Sequence, residues 1–288
     1  MVKEEIDTVV TKTKAMIFHK IGDVARLSTD DIIITYFLNL DLVGLVGNYT
    51  YIITYAANFI NIIFNSIVSG LGNLVATESK EKQYGVFKVY RFVACWLYGY
   101  AFSGFFLLLS PFITGIWLDG TWELGQAVLA LILIDFYLKG GRTVLVNFKI
   151  AAGIVEKDRY LALIQGGVNL VISILGIKWI GLAGVYVGTV VSGVLANLIQ
   201  PVILYKDCFS QDVSAYFKDA FQYIGAIACV VIVLLPVRNL VIAQMSVPAF
   251  IVMALIISIV YNAAFLCLFH RTEEFVYLWD LVRRKRKK

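Results

Sequence analysis

Long apolar runs separated by short charged segments make up this chain. Crossing ~30 Å of hydrocarbon takes about 20 mostly apolar helical residues. By that measure the pattern predicts about eight spans, at 14–39, 43–76, 85–112, 123–150, 158–177, 181–205, 217–236 and 247–270. The second is long enough to tilt or to project beyond the bilayer. A membrane barrel would show alternating segments of about ten residues, and none is visible. The fold class expected is all-α, a polytopic membrane helical bundle.

Composition agrees. Hydrophobic residues make up 60% and charged residues 16%, with a mean hydropathy of +0.80, whereas soluble domains carry about 25% charged residues. Residues 1–15, "MVKEEIDTVVTKTKA", have no apolar core or small-residue cleavage site of a signal peptide. Cys95, Cys208, Cys229 and Cys267 are far apart and form no C-x-x-C pair, so they read as small apolar side chains. His19 and His270 are the two histidines, which makes a metal centre unexpected. No P-loop spacing occurs. Neither a cofactor nor a nucleic-acid partner is expected.

Lysine and arginine collect in alternate connections. One set holds Lys3, Lys12 and Lys14, then Lys80, Lys82, Lys88 and Arg91, then Lys149, Lys157 and Arg159, then Lys206 and Lys218, and ends in "RRKRKK". The other set holds only Lys178 and Arg238. Basic loops stay cytoplasmic, so both termini are expected there, with 1–13 a cytoplasmic segment. Residues 271–288 place Phe275, Leu278, Trp279 and Val282 on one helical face before the basic run, the pattern of an interfacial helix on anionic lipid. Gly184 and Gly188 have the spacing of close helix contacts. Pro201, inside a span, predicts a kink.

Charges inside the spans carry the candidate chemistry. At 100° per residue, His19, Asp23, Arg26 and Asp30 share one stripe of the first span, and Asp31 lies off it. In the fourth span Asp135, Lys139, Arg142 and Lys149 share another, with Gly140 and Gly141 between; Lys149 reads as an edge residue. A buried charge costs about 2.5–3.5 kcal/mol or more on insertion scales. Pairing Arg26 with Asp23 or Asp30 around a wet cavity lowers that cost. Arg26, Lys139 and Arg142 are therefore candidate ligands for an anion, phosphate above all. Asp23, Asp30 and Asp135 are candidates for pairing those cations or carrying a coupling ion. The plain alternative is a set of buried ion pairs that fix helix register.

Residues 139–206 contain "AAG" with "DRY" (Ala151–Gly153, Asp158–Tyr160), then "NLVISI", "GLAGVYVGT" and "P-x-x-LYK" in order. With "FHKIG" (Phe18–Gly22), "TDDIII" (Thr29–Ile34) and "VGLVGNY", this series resembles the second half of bacterial polysaccharide-exporting flippases. These belong to the multidrug/oligosaccharidyl-lipid/polysaccharide exporter superfamily. Departures are Asp31 and Gln200, where the family usually has Asn and Glu, and the missing carboxylate near Ile150.

The resemblance implies a MATE-like fold, with a six-helix lobe at 14–205 and two additional helices at 206–270. It implies alternating-access movement of undecaprenyl-pyrophosphate-linked oligosaccharide across the bacterial plasma membrane, driven by an ion gradient. It also implies 12–14 spans in two lobes, so the chain is expected to be a C-terminal portion whose partner is an N-terminal lobe; a half-size dimer is the other possibility. Lipid-linked oligosaccharide and membrane lipids are the other expected partners. The chain is not expected to be an enzyme. A glycan polymerase would need a large outward loop, where the longest connection offers only Asp119 and Glu123. A drug or cation antiporter of the same superfamily fits a basic cavity poorly.

Overall fold

The computed structural model describes residues 13, 17, 29–118, 120–242 and 246–286. These are helical nearly throughout. Helix α1 covers 29–37, α2 Leu40–Asn65, α3 Val68–Thr77, α4 Lys80–Phe112 and α5 Gln126–Ala152. Then come α6 Leu161–Ile180, α7 Leu182–Leu204, α8 Ser214–Val241, α9 Val247–Phe269 and α10 Glu273–Arg286. Of the expected 14–39 span, all but 29–39 and residue 17 lie outside the described residues.

Among the described residues, 6 helical stretches are long and apolar enough to cross a membrane: Leu40–Thr77, Lys80–Trp117, Val155–Ile180, Leu182–Phe209, Ser214–Val241 and Val247–Phe269. The chain is thus built as a multi-pass membrane protein. Helix α5, with 27 residues, is about 40 Å long at 1.5 Å per residue. Its four charges keep it out of that apolar set. It packs against α2, α3, α4 and α7, and Asp135, Asn147 and Lys149 are buried there.

The span read at 43–76 is present as the apolar stretch Leu40–Thr77, with a local break between α2 and α3. The Phe64 carbonyl would ordinarily accept from the amide of residue 68. Instead it accepts from the Ile67 amide at 3.3 Å and from the Tyr90 hydroxyl at 2.7 Å, with Asn147 Nδ2 at 3.5 Å. Side chains inserted into the ladder in this way break a helix. Helices α6 and α7 form a tight hairpin on Gly181, whose φ of +61° suits glycine. Their backbones touch at Gly176 and Gly184, and Gly188 lies under Ser173 and Asn169. The glycine spacing thus serves helix packing. Helix α7 runs through Pro201 to Leu204 and ends in a wide turn, Tyr205–Phe209.

A second core joins α4, α8 and α9 through Phe92, Tyr223, Phe265 and Phe269. Arg91, read from the sequence as a loop cation, is buried in α4. Its guanidinium donates to the Tyr216 carbonyl at 2.6 Å and to Asp219 at 3.3 Å, and lies 3.6 Å from the Tyr216 ring centre. Helix α10 is tied to α4 by Lys88 and Glu273 at 2.6 Å. The face expected to meet lipid is split: Phe275 and Leu278 pack on the second core, while Trp279 is exposed. The side chain of Val282 lies outside the described residues.

Candidate functional site

Asp135 and Lys139 lie one turn apart on α5 and form an ion pair at 2.5 Å. The carboxylate is buried, but the lysine side chain is 40% exposed. Across from it α7 has Gly193, where an added Cβ would stand 3.4 Å from Asp135 Oδ1. Glycine here leaves room for the carboxylate between the helices.

Helix α1 brings Asp30 to the same region. Asp30 Oδ2 accepts from the Thr189 hydroxyl at 2.8 Å, and Thr189 Oγ1 accepts from Asn169 Nδ2 at 2.9 Å. Asp30 is within electrostatic reach of both Asp135 and Lys139. Among the described residues, Asp30 Oδ1 and Asn169 Oδ1 are buried oxygens with no hydrogen-bond partner. Buried acceptors without donors are costly. A proton on Asp30 would turn its carboxyl into a donor as well as an acceptor. No group of three or more His, Cys, Asp or Glu residues that could hold a metal occurs among the described residues.

Of the six residues singled out by sequence, Asp30, Asp135 and Lys139 converge. Arg142 is half-buried one turn further along α5, within electrostatic reach of Lys149 and Tyr216. Asp23 and Arg26, with His19, lie outside the described residues. The two glycines between the charges differ. Gly140 is covered by the Tyr98 ring, with which a Cβ would overlap; Gly141 has nothing within 4 Å.

Lys149 lies in the last turn of α5, as an edge residue would, but it is not solvated. It is buried and ion-paired with buried Asp158, which also accepts from Gln200 Nε2 at 3.0 Å. Helix α5 ends at left-handed Gly153 (φ +69°), and the single turn Val155–Asp158 folds back under it. That reversal carries Asp158 to Lys149.

Sequence reasoning missed the polar row of α6. Gln165, Asn169 and Ser173 are buried and reach the Ser192 carbonyl, Thr189 and the Val185 carbonyl of α7. Their four-residue spacing in an apolar helix was a usable signal. Asn61 was also missed: its Oδ1 accepts from Tyr98 at 2.8 Å and from Thr143 at 3.2 Å, linking α2 to α5.

Comparison with protein-family models, with curated proteins and with solved structures yields no match.

Proposed function

We propose that the chain is the C-terminal lobe of a flippase for undecaprenyl-pyrophosphate-linked oligosaccharide in the bacterial plasma membrane, with both termini cytoplasmic. The observation that carries this proposal is the half-open Lys139 of α5. It is a cation within a membrane-spanning bundle, steadied by buried Asp135 yet still accessible. The ordered motif series from Phe18 to Lys206 supplies the family and the cargo class.

In this mechanism Lys139, Arg142 and Arg26 contact the pyrophosphate. Lysine offers a point charge, and arginine offers a planar fork matched to phosphate oxygens. Asp135 positions Lys139. Asp30, held by Thr189 and near Asn169, takes up the coupling proton or cation. Neutralising Asp30 changes the charge balance around Lys139, which links ion occupancy to the hold on the anion. A second lobe facing α5 closes the cavity and rocks against this one, as in transporters built from two repeats.

The test is export of surface polysaccharide in cells lacking their own flippase, with the full-length protein supplied. Lys139→Ala and Arg142→Ala are expected to abolish export at normal membrane abundance. Normal export by both variants would contradict the proposal.

A further inference from the structure

A cleft of about 260 Å³ opens between the start of α4 and the start of α10. Helix α4 contributes Lys82, Gly85, Val86, Lys88 and Val89, and α10 contributes Glu273, Glu274 and Tyr277. The volume falls below the roughly 300–1,000 Å³ of sites for drug-sized ligands, so it suits a headgroup. At Gly85 an added Cβ would meet nothing within 4 Å, and this wall of the cleft stays open.

The cleft lies at a membrane boundary. Helix α9, long and apolar enough to cross the bilayer, ends at Phe269, and α10 begins at Glu273. Those four residue steps reach at most about 14 Å. The turn is tighter still, with the Thr272 amide donating to the Phe269 carbonyl at 3.0 Å. Helix α10 therefore starts at the level of the lipid headgroups. Outside its contact with the second core it exposes Val276, Tyr277, Trp279 and Leu281, and Tyr and Trp favour that level.

Polarity along the cleft runs in the order of a phospholipid. The Phe269 ring packs on Phe92 of α4, so α4 begins at the end of the bundle where α9 finishes. Along α4, Lys82 comes first, and Val86 and Val89 follow toward the apolar interior.

Both lysines hold replaceable partners. Lys82 pairs with Glu78 at 2.6 Å on the surface, where such pairs contribute little. Lys88 pairs at 2.6 Å with Glu273, whose side chain is 85% exposed, and at 3.7 Å with the better-covered Glu274. With Glu273 turned out to water, two lysines face one carboxylate. That balance complements the single charge of a phosphodiester. The unbroken basic run from Arg283 to Lys288 adds attraction for anionic headgroups over those that carry their own cation.

We infer that the α4–α10 cleft binds an anionic phospholipid, with Lys82 and Lys88 on its phosphodiester and the valines against the start of its acyl chains. This site is independent of the flippase reading.

In the test, the full chain in dodecyl maltoside is titrated with dioleoyl phosphatidylglycerol and with dioleoyl phosphatidylcholine. Native mass spectrometry reads the bound lipid. Phosphatidylglycerol is expected to bind about tenfold more tightly, as for one charged hydrogen bond gained. Lys82→Gln removes a cation, and Gly85→Leu fills the cleft. Each is expected to abolish the preference at an unchanged melting temperature, whereas Arg284→Gln with Lys285→Gln is expected to keep it. Absence of a preference in wild type, its survival in either cleft variant, or its loss in the tail variant overturns the inference. Complete displacement of the lipid by millimolar inorganic phosphate would show a site for a free anion, and overturns it as well.

Discussion

Two lysines of α5, Lys139 and Lys149, are paired with aspartates, and the two pairs differ in exposure. Lys149 and Asp158 are sealed, with side-chain exposures of 3% and 1%. In the Asp135–Lys139 pair the carboxylate is 9% exposed, but the lysine is 40% exposed. The sealed pair has a third partner in Gln200 and joins α5, the turn after it and α7. The open pair leaves a cation able to meet a ligand. Equal chemistry thus serves architecture at one position and, under the proposed function, recognition at the other, with burial as the difference between them.

Breaking the sealed pair gives the largest effect. Lys149→Met leaves Asp158 buried without its cation and is expected to cost about 3–5 kcal/mol. Reversible unfolding in mixed detergent micelles reads the loss. Adding Asp158→Leu should recover much of it, because the stranded charge is then gone. An additive or larger loss in the double variant would show that the pair does not act as a unit.

Next comes the tie between the two cores. Arg91→Met removes a charged hydrogen bond to the Tyr216 carbonyl and the stacking on its ring. The expected cost is about 2–3 kcal/mol, with faster amide exchange in α8 than in α5. Equal exchange in the two helices would show that α8 does not depend on Arg91.

These two sites also show what sequence could and could not convey. Apolar runs foretold helices at 85–112, 123–150, 158–177, 181–205, 217–236 and 247–270, and α4 to α9 occupy those stretches. Length and hydropathy are local, so they survive in the sequence. The break after Asn65 is not local: it depends on the hydroxyl of Tyr90 and the amide of Asn147, each on another helix. The buried partner of Lys149 was hidden for the same reason, since Asp158 is delivered by a reversal at Gly153. The Asp135–Lys139 pair was legible from its i,i+4 spacing. Asp30's link to Thr189, 159 residues away, was not.

The open pair predicts a smaller thermodynamic effect and a larger functional one. Lys139→Ala should cost less stability than Lys149→Met, because water reaches the lysine side of this pair although Asp135 is buried, and under the proposed function it abolishes export. A stability loss as large as that of Lys149→Met would erase the distinction between the two pairs.

The smallest effect belongs to α10. Its Glu273 carboxyl is held below the usual glutamate range by the hydrogen bond from Lys88 and then by that lysine's charge. A lowered folded value means the contact contributes fully above the unfolded value of about 4.3 and is lost as pH falls through the folded one. Glu273 is largely exposed, so the contribution is below about 1 kcal/mol. Spin labels on α4 and α10 should separate below about pH 4, and Glu273→Gln should mimic that change at neutral pH. A distance unaffected by either would mean that Phe275 and Leu278 hold the helix unaided.

The central claim, that the Lys139 position faces water inside the bundle, has a direct measurement. Lys139→Cys, placed in a background with Cys229→Ala and Cys267→Ala, is exposed to an anionic, membrane-impermeant methanethiosulfonate in sealed vesicles, with Leu255→Cys on apolar α9 as the comparison. Thiolates form and react where water reaches them. Rapid modification at position 139 with none at position 255 is the predicted result. An inert cysteine at position 139 from both sides of the membrane would contradict it.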